Sequence, residues 1–330
     1  MALFDLPLAE LERYRPQVVE PDDLDAFWGA TLTEARGLGD DVRLERVATG
    51  LTLVDTWDVT FPGFGGHPVR AWYTRPAGVD APLPAVVEFL GYGRGRGLPG
   101  ERLTWSNAGY AHLLVDTRGQ GGQHGNGGDT PDPVGSGPAA PGFVTRGILD
   151  PSTAYYRRVY TDGVRAVDAV RTLPGVDPSR VAALGNSQGG GIALAVAGLV
   201  PDLAAVAASA PFLCHVERAL ALTDADPYAE VVRYLAVHRG HEAQVLRTLS
   251  YLDGVHLVRR ARAAALFGTG LRDTVCPPST AFAAFHAYAD DDPSVPREIA
   301  VYPFNHHEGG DAHHVARVLS WFATHLTPPG

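Results

Sequence analysis

The chain has 330 residues, 45% of them apolar and 19% charged, with a formal net charge of −10. It contains no lysine, so all 27 basic residues are arginine, which excludes a Walker A lysine, a lysine Schiff base and pyridoxal-phosphate attachment. An acidic balance without a basic run argues against nucleic acid or an anionic membrane as partner.

The only cysteines, Cys214 and Cys276, form no C-x-x-C and read as small buried hydrophobes of a reducing compartment. The start, Met1-Ala-Leu-Phe-Asp-Leu-Pro-Leu-Ala-Glu, places acids where a secretory signal needs a basic start and an apolar core. No apolar run reaches membrane-spanning length, so the expected location is cytoplasmic.

In chain order, residues 8–15 and 22–36 read as short amphipathic helices, the second opening at Pro21-Asp22-Asp23. The period then changes to two over 42–47, 52–61 and 69–74, which predicts antiparallel strands, with a hairpin loop at 63–66. Residues 84–90 and 111–115 are almost continuously apolar, as buried parallel strands are. A helix is expected over 155–173, a strand over 181–184 after the turn Asp177-Pro178-Ser179, a helix over 188–200 and a strand over 204–209. Residues 215–262 then carry helical stretches without a convincing strand. The regular pattern resumes with a strand at 263–268, a helix at 277–288, a strand at 298–302 and a helix at 312–326.

This order predicts one doubly wound α/β domain, 1–330, with a mostly parallel sheet and a leading antiparallel edge. Residues 1–40 would be a helical extension, and about 212–262 a helical insertion near the ligand site. That site is expected at the carboxyl ends of the parallel strands.

The segment Gly185-Asn186-Ser187-Gln188-Gly189 matches a nucleophile elbow, G-x-S-x-G, between a predicted strand and a predicted helix. Its glycines would let a sharp turn project the Ser187 hydroxyl from the sheet edge. A serine hydroxyl needs a base to take its proton and a third group to fix that base's tautomer. On this architecture the acid and then the histidine follow the serine, each just past a strand. Asp273 follows the 263–268 strand in this way, whereas Asp253, Asp290, Asp291 and Asp292 do not. His306 and His307 both follow the 298–302 strand, and spacing does not choose between them.

Metal chemistry needs separate consideration, because His306, His307, Glu308, Asp311, His313 and His314 are close in sequence. A zincin presents H-E-x-x-H on a helix, but Gly309-Gly310 disfavours helix there, so no metal is expected. The loop Gly91-Tyr92-Gly93-Arg94-Gly95-Arg96-Gly97 departs from G-x-G-x-x-G at Arg96. It reads instead as the loop that would supply a second oxyanion N–H. The glycine-rich loop from Asp116-Thr-Arg-Gly-Gln-Gly-Gly to Gly128 is expected to border the site. No cofactor is expected.

With these residues in place, the chain resembles the acetyl xylan esterase/cephalosporin C deacetylase family, carbohydrate esterase family seven, on an α/β-hydrolase fold. The resemblance begins at Met1-Ala-Leu-Phe-Asp-Leu-Pro-Leu and includes Asp116-Thr-Arg-Gly-Gln-Gly-Gly, Thr145-Arg-Gly-Ile-Leu-Asp and Tyr155-Tyr-Arg-Arg-Val-Tyr-Thr-Asp. It continues through Asn186-Ser-Gln-Gly-Gly, Pro211-Phe-Leu-Cys-His, Asp273-Thr-Val-Cys-Pro-Pro and His307-Glu-Gly-Gly.

The resemblance implies Ser187 as nucleophile, Asp273 as orienting acid, His307 as base, and the backbone N–H groups of Tyr92 and Gln188 as oxyanion hole. It also implies a cytoplasmic homo-hexamer that deacetylates small substrates such as xylo-oligosaccharides and cephalosporin C. Substrate contacts are expected from Tyr92, Trp105, Phe212 and Leu213. Two positions depart from the family's pattern: Leu90 where many relatives carry histidine, and Asn186 where glycine is common. A serine peptidase or a longer-chain esterase on the same fold are the alternatives, although no propeller precedes the catalytic region.

Overall fold

The computed structural model describes residues 4–134 and 141–326. Met1, Ala2 and Leu3, where the family resemblance and the expected N-terminal extension begin, lie outside the described residues, as do the last four positions of the expected domain.

Two helices, α1 (Leu8–Leu11) and α2 (Leu24–Gly37), precede three strands, β1 (Arg43–Arg46), β2 (Val54–Pro62) and β3 (Pro68–Pro76). Next come β4 (Leu83–Phe89), α3 (Thr104–Asn107), β5 (Ala111–Val115), α4 (Tyr155–Val170), β6 (Val176–Asn186), α5 (Gln188–Leu199) and β7 (Ala205–Ser209). Four helices follow without a strand: α6 (Val216–Leu222), α7 (Tyr228–Val237), α8 (Glu242–Ser250) and α9 (Gly254–Leu257). The chain then runs through β8 (Ala264–Gly270), α10 (Pro278–Ala287), β9 (Arg297–Tyr302) and α11 (Asp311–His325).

Among the described residues the strands form one nine-stranded sheet in the order β1-β2-β3-β5-β4-β6-β7-β8-β9. The β1-β2, β2-β3 and β3-β5 pairs are antiparallel, and every pair from β5 across to β9 is parallel.

Burial on both faces explains the unbroken apolar runs. Along β4, Ala85, Val87 and Phe89 enter the larger core, which includes α4 and α5, while Val86 enters the smaller one against α11. Glu88, the polar exception, is satisfied by the Arg102 guanidinium and by the Trp105 indole N–H at 3.2 Å. No helix among the described residues is long and apolar enough to cross a membrane.

Two expectations from the sequence need correction, and one element was missed. The first helix ends at Leu11 rather than at 15, because Pro16 disfavours helical backbone before it and Leu11 instead packs against Leu271 and Phe282. The Asp177-Pro178-Ser179 turn does not precede β6 but bulges within it. Val176 pairs with Leu83 and Val181 with Ala85, and the Asp177 carboxylate caps the bulge by accepting from the Ser179 N–H at 3.0 Å. The single turn α3 was missed because four residues are too few to show a helical period.

His314, on the first turns of α11, is 6% exposed, and its Nδ1 lies 3.1 Å from the Tyr302 hydroxyl. Burial, aided by nearby Arg317, holds its imidazole down at about 4. Between the ordinary value of 6.5 and about 4, the unfolded chain binds a proton that the folded chain rejects. Stability contributed by neutral His314 is therefore present above that window and falls as pH drops through it, by about 3 kcal/mol in full. Denaturant unfolding at stepwise pH should show this decline, and His314→Asn should flatten it. An unchanged slope in the variant would assign the decline to other groups.

Candidate active site

The elbow is built by close approach of backbone to backbone. Ser187 connects β6 to α5 with φ 58° and ψ −120°, a strained conformation for a residue with a side chain. Its N–H donates to Ser209 O at 2.9 Å, and its carbonyl accepts from the N–H groups of Gly191 and Phe212, each at 3.0 Å. A Cβ at Gly185 would lie 2.1 Å from the Gly189 carbonyl carbon, and one at Gly189 would lie 2.2 Å from Phe89 O. The G-x-S-x-G spacing is thus a packing requirement. The start of α5 at Gln188 also points free N–H groups and the positive helix end at the serine.

Asp273 follows β8 and is fully buried. Its Oδ1 accepts from the N–H groups of Val275 at 2.8 Å and Cys276 at 2.9 Å, so one carboxylate oxygen is fixed by the main chain. The other, Oδ2, lies 2.9 Å from His307 Nδ1, and His307 Nε2 lies 2.8 Å from Ser187 Oγ. A carboxylate can only accept, so Nδ1 donates to it and Nε2 is left to accept from the serine hydroxyl.

The neighbouring His306 donates from Nδ1 to Arg272 O at 2.8 Å, so its side chain is turned into a main-chain contact. Glu308 Oε1 accepts from Asn305 at 2.8 Å, and His314 is held by Tyr302. The paired glycines at 309 and 310 have φ of 57° and 90°, and α11 begins only at Asp311. His306, His307, Glu308 and His314 are thus engaged in different contacts, and no group of three or more side chains able to hold a metal occurs among the described residues.

Ser187 and His307 open onto a cavity of about 710 Å³, also lined by Gly91, Tyr92, Arg94 and Glu230. A small ligand fits such a volume. Of the four expected substrate contacts, Tyr92 lines this cavity. The other three expected substrate contacts do not line this cavity. Trp105 packs its ring 5.6 Å from Phe322 on the α11 side of the sheet, tied by its indole to Glu88. The Phe212 ring packs at a tilt between Tyr156 and Tyr228, and the Leu213 N–H donates to the Tyr228 hydroxyl at 2.9 Å. Both residues are 1% exposed and belong to the larger core, and Phe212 also braces the elbow by donating its N–H to Ser187 O.

Sequence reasoning missed the groups that wire the loop after β4 to the elbow. Gln120 Oε1 accepts from the Gly93 N–H, and Gln120 Nε2 donates to Gln188 Oε1, both at 2.7 Å. Gln188 Nε2 donates in turn to Leu90 O at 3.1 Å, and the Tyr156 hydroxyl donates to Gln188 Oε1 at 2.9 Å. Two residues earlier, Arg118 is buried and forms a two-pronged pair with Asp162 at 2.6 and 2.7 Å. The glycine-rich loop therefore does more than border the site, and its Arg and Gln were the available signal: polar side chains directly after the buried strand β5. Glu230, from α7, was also missed. Burial raises its carboxyl above the usual range, against the lowering pull of the Tyr92 hydroxyl.

The sheet order, and the strand ends from which Ser187, Asp273 and His307 project, define an α/β-hydrolase. Sequence relationships narrow that class. The chain belongs to the acetyl xylan esterase family of carboxylic ester hydrolases, whose profile, acetyl xylan esterase (AXE1), matches residues 1–325. It is similar to the acetyl xylan esterase from Paenibacillus sp. R4, with 36% identity and a TM-score of 0.90 over 97% of this chain and 100% of that one. Acetyl xylan esterase 1 from Thermoanaerobacterium sp. JW/SL YS485 is 31% identical, with a TM-score of 0.87 over 98% of this chain and 99% of that one. Acetyl esterase Axe7A of Xylanibacter ruminicola is 27% identical over 90% of this chain, which spans 65% of the length of that relative.

Proposed function

We propose that this protein is a serine carboxylesterase that removes acetyl groups from small acetylated substrates such as xylo-oligosaccharides and cephalosporin C. The observation that carries this reading is the continuous relay from Ser187 Oγ through His307 to Asp273, with links of 2.8 and 2.9 Å. The names of the relatives, acetyl xylan esterases and an acetyl esterase, support the acyl group chosen.

In the proposed reaction His307 Nε2 takes the hydroxyl proton as Ser187 Oγ attacks the acetyl carbonyl carbon. The backbone N–H groups of Tyr92 and Gln188 receive the resulting oxyanion. Each such donor is worth about 3–4 kcal/mol in the transition state. As the tetrahedral species collapses, the C–O bond to the sugar breaks and His307 gives its proton to the leaving alcohol. Water then adds to the acetyl-serine by the same relay, releasing acetate and restoring Ser187.

One domain over 1–330, a homo-hexamer and a cytoplasmic location complete the proposal. The hexamer is what the family resemblance implies.

The test is acetate release from acetylated xylo-oligosaccharides and from cephalosporin C, beside p-nitrophenyl esters of increasing acyl length and aminoacyl anilides. Turnover that falls steeply beyond acetyl, together with labelling of Ser187 by a serine-directed phosphonate, is the expected result. Faster turnover of long acyl chains or of anilides would replace this reading with a longer-chain esterase or a peptidase.

A further inference from the structure

Glu230 is an unusual residue to find where it is. It is 2% exposed, sits in the first turn of α7, and yet borders the cavity that contains Ser187. A buried carboxylate is costly unless its oxygens are bonded, and both are. Oε1 accepts from the Tyr92 hydroxyl, and Oε2 accepts from the Val144 N–H at 3.0 Å. The Tyr92 oxygen in turn accepts from the Phe143 N–H at 2.6 Å, and the two rings meet edge-on at 5.4 Å. The main chain passes so close here that a Cβ on Gly142 would lie 2.1 Å from the Glu230 carboxyl carbon.

Three segments distant in sequence thus meet on two side chains: the loop after β4, the stretch around 143, and the helical insertion. Tyr92 is the residue whose main-chain N–H is assigned to the oxyanion. Its backbone is held from one side by the Gln120 bond to the next residue, Gly93. On the other side Gln188 holds Leu90 O and the Arg94 N–H holds Gly91 O, and Tyr92 itself is anchored through its phenol.

We infer that Glu230 is a positioning residue for the oxyanion hole, acting through the Tyr92 hydroxyl to hold the Tyr92 N–H in line with the reacting carbonyl. This rests on the serine-esterase reading above. It gives the helical insertion a part in the chemistry that a lid or a wall would not have. It also explains why an acid is retained where an apolar side chain would pack at lower cost. Displacing one oxyanion donor, rather than deleting it, should cost less than the hundredfold or more that deletion does.

The experiment compares Glu230→Gln, Tyr92→Phe and the double variant in the full chain. Readouts are kcat and KM on p-nitrophenyl acetate, the inhibition constant of methylboronic acid, which forms a tetrahedral adduct on serine, and the thermal midpoint. Glu230→Gln keeps the shape but turns an amide N–H₂ toward either the Val144 N–H or the Tyr92 hydroxyl, so one of those two protons loses its acceptor.

Each single variant should lower kcat roughly 10–30-fold, with KM within about twofold. Boronate affinity should weaken by about the same factor as kcat, and the double variant should be no worse than the worse single. A wild-type kcat in either folded variant, a loss confined to KM, unchanged boronate affinity, or losses that multiply in the double variant would each overturn the inference. If Glu230→Gln fails to fold, Tyr92→Phe decides alone, since it keeps the ring packing and removes only the hydroxyl. Phosphonate labelling of the unmodified protein separates the two levels. No labelling sinks the serine-esterase reading itself, whereas labelling with undiminished turnover in both variants sinks only the role of Glu230.

Discussion

Ser187→Ala is expected to lower kcat on an acetyl ester by about 10⁴- to 10⁶-fold while leaving KM within a few-fold. The substitution deletes one oxygen, and nothing else in the elbow depends on it. The turn is held by main-chain bonds from Ser187 N to Ser209 O and from the N–H groups of Gly191 and Phe212 to Ser187 O, all of which alanine can make. Its unusual φ is already enforced by the packing of Gly185 against Gly189. The cavity therefore keeps its shape and its proposed oxyanion donors, which is why some rate above that of water should remain. The measurement is steady-state turnover of p-nitrophenyl acetate with circular dichroism on the same preparation. Activity within tenfold of the unmodified protein, with the fold retained, would falsify the role given to Ser187.

The architecture was legible because its signals are local. Both-face burial makes β4, β5 and β7 read as apolar runs, and the glycines of the elbow are dictated by contacts a few residues apart. The positions proposed for the acid and the base were also readable, since each follows its strand directly: Asp273 after β8 and the 306–307 pair after β9.

Choosing between His306 and His307 was not a local matter. It depends on Arg272 O capturing one ring and on the Asp273 carboxylate capturing the other, both from a different strand end. The same limit applies to the lining of the cavity. Trp105, Phe212 and Leu213 are large apolar residues near the site in sequence, and only tertiary packing shows them serving the core. Glu230 was invisible for the converse reason. A glutamate in an amphipathic helix reads as a solvated face until Tyr92 and Val144 are seen to close around it.

Asp273→Asn should reduce kcat by about 10⁴-fold with KM little changed, a loss of about 5.5 kcal/mol of transition-state stabilisation. The size follows from which way the amide must face. Oδ1 accepts from two main-chain donors, Val275 N–H and Cys276 N–H. An amide that turned its N–H₂ toward them would bury two donors against a third, so the oxygen must stay on that side. The N–H₂ is then left facing His307 Nδ1, the position Oδ2 now occupies at 2.9 Å. Facing a donor, Nδ1 becomes the acceptor, and the ring proton moves to Nε2. That nitrogen then points a proton at Ser187 Oγ where a lone pair is required, and the serine has no base.

Because Asp273 is fully buried, water cannot supply the missing acceptor. The variant should fold normally and bind substrate, and its crystal structure should superpose on the parent. The deciding measurement is the imidazole ¹⁵N spectrum, in which the unmodified protein should show a protonated Nδ1 and the variant a protonated Nε2 at neutral pH. A variant with the parent's tautomer, or with activity within tenfold of the parent's, would remove Asp273 from the relay and leave its carboxylate as a cap on the 273–276 turn.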